Sequence, residues 1–468
     1  MATTPAWLCL DIEDPITLRS HRAAQWMCEE IASFGLTATC FLVAEKVREW
    51  ERLGLRDVIE AVKQHDLHFH STGHSFHPTI SELSESLATE RGAEMLWGWE
   101  RPGWEDAERI MGAPLQHWNR TGGSWSPALA RMLGKKGRAI KSSAICHYED
   151  RPRCWFAGGL NLAGSYGGLD GVYHDAEGFE PAFARHKARA DELLDAGVPY
   201  LGLFAGHPTR LVHRAFWDGV NFPQGRIRTP EDFEDPEPIT TEEEKVCRSN
   251  FRRTLEWIVG DDRFEVMGFG ELVRLFNAQK TGCSREGVEA ICTRICEQGE
   301  VIFTDGFSAA EIMGLMLDYV SAPQAEFVCR RDIMSPEGMR ENEPGVSCTP
   351  ADALAAAPAL NAHVTASGAL PDAVNLPGGR VSIAAYYVAL ARGINMSNSG
   401  QDEAFPVGAP QPYPAVGDEL AEAAAATITS WSIHRPTLDL SCIIRGTKLL
   451  SWTYKPAWTR EELSRIEW

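Results

Sequence analysis

The chain has 468 residues, 44% of them apolar and 24% charged, with 45 basic against 65 acidic side chains and a net charge of −20. At roughly 150 residues per domain the length predicts two or three domains, and the composition excludes wholesale disorder. The negative charge is shared evenly between the residues up to Lys280 and those after it. This argues against non-specific binding to nucleic acid or to anionic membranes, both of which rest on clustered Lys and Arg.

Residues 6–10 form a short apolar run ending in the acids Asp11, Glu13 and Asp14, which predicts a buried strand with a carboxylate-rich tip. Residues 21–34 carry apolar side chains at helical spacing and stop at Gly35, a helix-terminating signal. Residues 36–44 predict a second strand, 55–64 a second helix and 66–70 a third, short strand. Strand, helix, strand, helix, strand is the rhythm of a parallel sheet. Further strands are expected at 139–146, 200–205 and 264–267, and helices at 182–196 and 243–259. The alternation runs to about residue 279, and a domain of roughly 280 residues is barrel-sized.

After Lys280 the texture changes. Only His363 and His434 of the 14 histidines lie there. Helices are expected at 287–298, 309–320 and 382–394, loops at 341–379 and 397–417, and strand-like runs at 438–454. The expected organisation is a catalytic domain over 1–280 and a smaller, mostly helical accessory domain over 281–468. No apolar run approaches the ~18 residues of a membrane span. The start lacks the basic and apolar regions of a secretory signal, and the 12 cysteines contain no CxxC pair. Reduced thiols and a cytoplasmic location are the expectation.

Five histidines, His65, His68, His70, His74 and His77, crowd into one segment at the end of the third strand. Neutral imidazole is a preferred ligand of zinc and its first-row neighbours, and His70 and His74 stand four apart, as in other paired ligands. The competing reading is a set of core or surface histidines satisfied by hydrogen bonds. In a parallel α/β fold the site lies at the carboxyl ends of the strands. The acids after the first strand and the histidines after the third therefore reach the same rim. Alone, the acids would read as a solvated loop with a helix cap.

These residues resemble the polysaccharide deacetylase family (carbohydrate esterase family 4, the NodB-homology group), whose intracellular-type members are the nearest in pattern. The similarity rests on the acidic tip of the first strand, on Ala38-Thr39-Cys40-Phe41-Leu42-Val43, on His70-Ser71-Thr72-Gly73-His74, and on Leu201-Gly202-Leu203-Phe204-Ala205-Gly206-His207. It covers about residues 6–275. It implies an α/β fold, a deformed (β/α) barrel, and one divalent metal ion, zinc first, with cobalt, nickel or manganese as alternatives. It also implies Asp11 as general base, His207 as general acid, and His70 and His74 as ligands, with Glu13 or Asp14 as the third. Arg120, in Asn119-Arg120-Thr121-Gly122-Gly123, is similar to the arginine that steadies the base.

The chain departs from the family where the usual Asp-Asp-Gly is replaced by Asp11-Ile12-Glu13-Asp14-Pro15, and where the Arg120 motif lacks its proline. Strand alternation from Asp11 favours Glu13 as the third ligand.

The implied activity is hydrolysis of a carbon–nitrogen bond other than a peptide bond. The expected substrate is a small molecule or a saccharide: an N-acetyl sugar, a polymer, or a small amide, ureide or imide. No nucleic-acid or membrane partner is expected, and a homo-oligomer is allowed. One alternative is an amidohydrolase-type barrel using His68 and His70, with His147, His174 and Asp218 as its weakly placed further ligands. The other is a carbohydrate-binding relative without turnover. The chain has 15 tryptophans. Trp97, Trp99, Trp104, Trp118 and Trp125 cluster before and through the Arg120 motif, as ligand platform or as core.

Overall fold

The computed structural model describes residues 3–146, 151–322 and 324–466. The first strand, β1 (Thr4–Ile12), is almost wholly buried. It pairs in parallel with β2 (Ala38–Leu42), and β2 pairs with β3 (Asp66–Phe69). The sheet continues in parallel through β4 (Trp118–Asn119), β5 (Ile140–Lys141) and β7 (Gly159–Leu162), with β6 (Arg153–Phe156) antiparallel beside β7. On the other side of β1 lie β8 (Leu201–Gly206) and β9 (Phe264–Val266), both parallel to it.

The two ends of this sheet approach one another. A Cβ at Gly202 of β8 would stand 2.7 Å from the Gly164 carbonyl just after β7, and Gly168 bridges Phe204. The sheet therefore curls towards the expected barrel form. β1 runs through the middle with near-continuous apolar character, as a strand buried on both faces requires.

The expected strands and helices of the first 280 residues are present with shifted ends, except that the strand expected at 139–146 is reduced to Ile140–Lys141. Ala44–Leu53 forms a further helix, and Thr89–Met111 a long one containing Pro102.

Beyond residue 280, Arg285–Gln298, Ala309–Ser321 and Ile383–Asn398 are helices as expected, and they build a second apolar core. Two expectations are corrected. Residues 341–379 are not a loop, because Pro350–Ala355 and Ala357–Ser367 are helices followed by a hairpin, Ala373–Leu376 with Gly379–Ser382. Thr349 and Asp352 form a reciprocal cap at the first helix, and alanine is the strongest helix former. Residues 438–454 are not strands, because Ser441–Leu450 is a helix that buries Ile443, Thr447 and Leu450, a spacing of four and three.

The chain then returns to the first sheet. Val416–Thr429 buries Leu420, Ala424 and Ile428 in the first core, and Lys455–Pro456 adds an antiparallel strand to β6. The Lys455 ammonium lies 2.6 Å from Glu311, and both are buried. No helix among the described residues is long and apolar enough to cross a membrane.

Candidate metal centre

The site forms at the carboxyl ends of β1, β3, β5 and β8, around a cavity of about 350 Å³. Past β3, the His70 N–H bonds the Leu42 carbonyl at 2.8 Å, so the extended chain carries His70 to the rim of the sheet. The backbone then turns sharply. Ser71 and His74 both have positive φ, 66° and 53°, and the His74 N–H donates to Ser71 Oγ at 2.8 Å. Non-glycine residues held in this region cost roughly 1–3 kcal/mol and persist where the surroundings fix them.

The Thr89–Met111 helix supplies that support. The buried Glu100 carboxylate accepts from Thr72 N–H at 2.6 Å and Thr72 Oγ1 at 2.8 Å. At Gly103 a Cβ would stand 2.3 Å from Thr72 Oγ1, so only glycine lets helix and loop approach.

The turn brings the two imidazoles of His70 and His74 to Glu13. His74 Nε2 lies 2.8 Å and His70 Nε2 3.8 Å from Glu13 Oε2. All three side chains are buried, and their potential ligand atoms lie within 4.8 Å of one another. The far sides of the two imidazoles are held: His70 Nδ1 on the Asn119 carbonyl at 3.2 Å, and His74 Nδ1 on Ser75 Oγ at 2.6 Å. Ser75 Oγ in turn donates to Asp218 at 2.9 Å, and Trp217 Nε1 donates to Glu13 Oε1 at 3.2 Å. Both Nε2 atoms and Glu13 Oε2 are left facing one point. One carboxylate and two imidazoles with outer hydrogen bonds that fix their orientation fit a divalent transition metal. Burial opposes ionisation of Glu13, but His74 and His207 hold its carboxyl well below the usual range.

Asp11 points into the same cavity. Asn119 Nδ2 donates to its Oδ1 at 2.8 Å, and Lys141 Nζ lies 3.4 Å from Oδ1. Burial alone would raise the Asp11 pKa; Lys141, His70 and His207 overcome it and bring it to about 2. His207 follows β8 and faces Asp11 Oδ2 across 3.8 Å through Nε2, while its Nδ1 meets Asp170 Oδ2 at 2.7 Å. Its ring packs edge-on against Phe204 and Phe216. Burial would lower its pKa, but Glu13, Asp170 and Asp11 raise it to about 9.

Asp11, Glu13, His70, His74, Arg120 and His207 are thus gathered around one cavity. Asp14 is not. Its carboxylate accepts from Ile16 N–H at 2.9 Å, Thr17 Oγ1 at 3.2 Å and Thr209 Oγ1 at 2.9 Å, which leaves it anchoring the loop after β1. Arg120 lines the cavity without an ion pair to Asp11; Lys141 and Asn119 hold that carboxylate instead.

His68 lies below the site, bonded to Asp66 at 2.7 Å and stacked on His117. It is not part of the ligand group. His147 lies outside the described residues. His65 and His77 also point elsewhere, bonding the Cys28 carbonyl and Glu82.

Of the clustered tryptophans, Trp104, Trp118 and Trp125 are core, and Trp99 is 49% exposed. The aromatic wall of the cavity comes instead from Phe204 and from Trp431, whose Nε1 donates to Asp218 at 2.9 Å.

Sequence reasoning missed Lys141, Asp170, Asn119 and Trp431, and offered Asp218 only as a ligand of the alternative barrel, whereas it supports His74 through Ser75. Lys141 had left a signal, the lone charge in the strand expected at 139–146. The others had none, because their contacts are made across the fold.

No family model matches the chain, and no curated protein matches it. Among solved structures it is similar to a putative polysaccharide deacetylase from Mycobacterium smegmatis, at 13% identity over 58% of this chain and 89% of that one, with a TM-score of 0.36. A probable polysaccharide deacetylase from Pseudomonas aeruginosa is similar at 12% identity over the same shares, with a TM-score of 0.37. An allantoinase structure is similar at 12% identity over 58% of this chain and 89% of that one, also with a TM-score of 0.37.

Proposed function

We propose that the protein is a metal-dependent hydrolase of a carbon–nitrogen bond other than a peptide bond, of the polysaccharide-deacetylase type. The observation that carries this reading is the convergence of Glu13, His70 and His74 in one cavity with Asp11 and His207. When bound, a divalent ion supplies Lewis acidity and an acidified water; the nitrogen and oxygen donor set suits zinc, and also cobalt, nickel or manganese.

Asp11, ionised and held by Asn119 and Lys141, takes the proton of the attacking water. An amide nitrogen leaves poorly as an anion, so it must be protonated as the bond breaks. His207 is protonated at neutral pH, and Asp170 holds its Nδ1 side so that Nε2 faces the cavity. Positioned acid–base groups of this kind contribute about 10²–10⁴-fold. The cavity of about 350 Å³ lies at the small end of ligand sites. This supports a small amide, ureide, imide or N-acetyl sugar as substrate over a polymer.

The test is a panel of N-acetyl sugars, cyclic imides and ureides assayed with each of the four metals, alongside elemental analysis. The expected result is one bound metal per chain and turnover of at least one substrate class. The double variant His70→Ala, His74→Ala is expected to lose both. Wild-type protein without affinity for any of the metals, or unchanged metal content in the double variant, overturns the reading.

A further inference from the structure

Two carboxylates and two permanent cations face the catalytic cavity, and they do not pair off evenly. Asp11 is taken by Lys141, and Glu13 by His74. Arg120 remains. Its backbone N–H bonds the Lys141 carbonyl at 3.2 Å, which fixes the residue at the end of β4, but its guanidinium makes no hydrogen bond or ion pair with any described residue. The acid whose charge reaches it is Asp11, beyond ion-pair range, and burial outweighs that help and lowers the Arg120 pKa to about 10.

Arg120 is only partly buried and opens onto the cavity, and a guanidinium drawn partly out of water without a partner carries a desolvation cost that an anion would relieve. It is a positive group without a side-chain counter-ion in the cavity that also holds Asp11, Glu13, His70 and His74. Three uncharged polar side chains, Ser142, Ser143 and Ser165, line the same cavity.

We infer that Arg120 receives a carboxylate of the substrate, so that the compound hydrolysed is a small amide or ureide bearing an acid group. A guanidinium matches a carboxylate through two parallel N–H donors. A phosphate dianion fits less well, because Asp11 and Glu13 stand in the same cavity and would repel the second charge. This assignment rests on the proposed hydrolase reading for the position of the scissile bond, but anion binding by Arg120 is measurable without turnover.

The experiment is titration calorimetry on the purified full chain with two matched pairs of probes, N-acetylglycine against N-acetylglycinamide and succinamate against succinamide. Wild type is expected to bind the acid of each pair at least about tenfold more tightly, the scale of one charge-assisted contact. Arg120→Met is expected to abolish that preference with metal content and thermal midpoint retained. Arg120→Lys keeps the charge but not the two-pronged donor face and is expected to retain part of it. Equal affinity for acid and amide in wild type overturns the inference, whether or not the variants fold. A preference that survives Arg120→Met would belong to Lys141 or to bound metal and overturns it as well. Failure of the hydrolase reading shows separately, as absence of turnover with the acid preference intact.

Discussion

Asp11 and His207 sit within one cavity at opposite ends of the titration scale, and each is set by named neighbours. Asp11 is held down by Lys141, His70 and His207 against its own burial, and is ionised above about pH 2. Asp11→Asn is expected to lower kcat by about 10²–10⁴ while metal content stays unchanged; retained turnover removes Asp11 as the base. His207 is burdened by burial but raised to about 9 by Glu13, Asp170 and Asp11. A raised histidine is charged below its folded-state value, so on the proposed reading the acid is available at neutral pH and is lost as pH rises through that value. A dication beside Glu13 opposes part of that pull and places the alkaline limb of the rate profile at or below about 9. Asp170→Asn removes another part, so its alkaline limb is expected at lower pH than that of wild type. A limb that does not move with Asp170 shows that another group titrates.

At the scale of elements, the decisive contact is the long Thr89–Met111 helix against the loop that carries His70 and His74. Helix propensity alone favours Gly103→Ala by about 1 kcal/mol. The added methyl, however, falls 2.3 Å from Thr72 Oγ1, and overpacking of this kind costs about 1–3 kcal/mol. The clash should win. Gly103→Ala is expected to lower the thermal midpoint and weaken metal binding, both read by melting with and without added zinc. A higher midpoint with unchanged metal affinity would show that the loop yields freely.

This contact also marks where the sequence stopped being legible. The tips of β1, β3 and β8 were readable because strand periodicity and the crowding of acids and histidines are local signals. Glu13 could be preferred over Asp14 by alternation, and Asp14 indeed turns away to Thr17 and Thr209. Asp170, Asp218 and Trp431 act only through partners 37, 143 and 213 positions away, and no local pattern encodes such a meeting. The 438–454 segment misled because its apolar residues were read by composition, while their four-and-three spacing is helical.

For the whole molecule, the sequence texture changes at Lys280, but the packing does not simply follow it. The residues from Val416 to Ile428 bury side chains in the first core, Lys455–Pro456 extends the first sheet, and Ser430 and Trp431 line the cavity. The buried Lys455–Glu311 pair joins that edge strand to a helix of the second core. Removing everything after residue 280 would uncover apolar surface along Pro127–Lys135 and β6 and open one wall of the site. The fragment 1–280 is expected to be insoluble or to lack a cooperative melting transition, as checked by expression, circular dichroism and calorimetry. A soluble, cooperatively melting fragment would show that the first sheet stands without the returning segment.

One oxygen atom joins the early and late parts of the chain. Asp218 Oδ2 accepts from Ser75 Oγ, which supports His74, and from Trp431 Nε1, which belongs to the returning segment. On the proposed reading, occupancy at His74 and the seating of residues near 431 share a thermodynamic cycle, and linkage between them must be reciprocal. An ion that tightens the ligand cluster would tighten the seam between the early and late parts of the chain by the same free energy. Anything that loosens the seam would release the ion more readily. The centre would then act as a fastener as well as a catalyst.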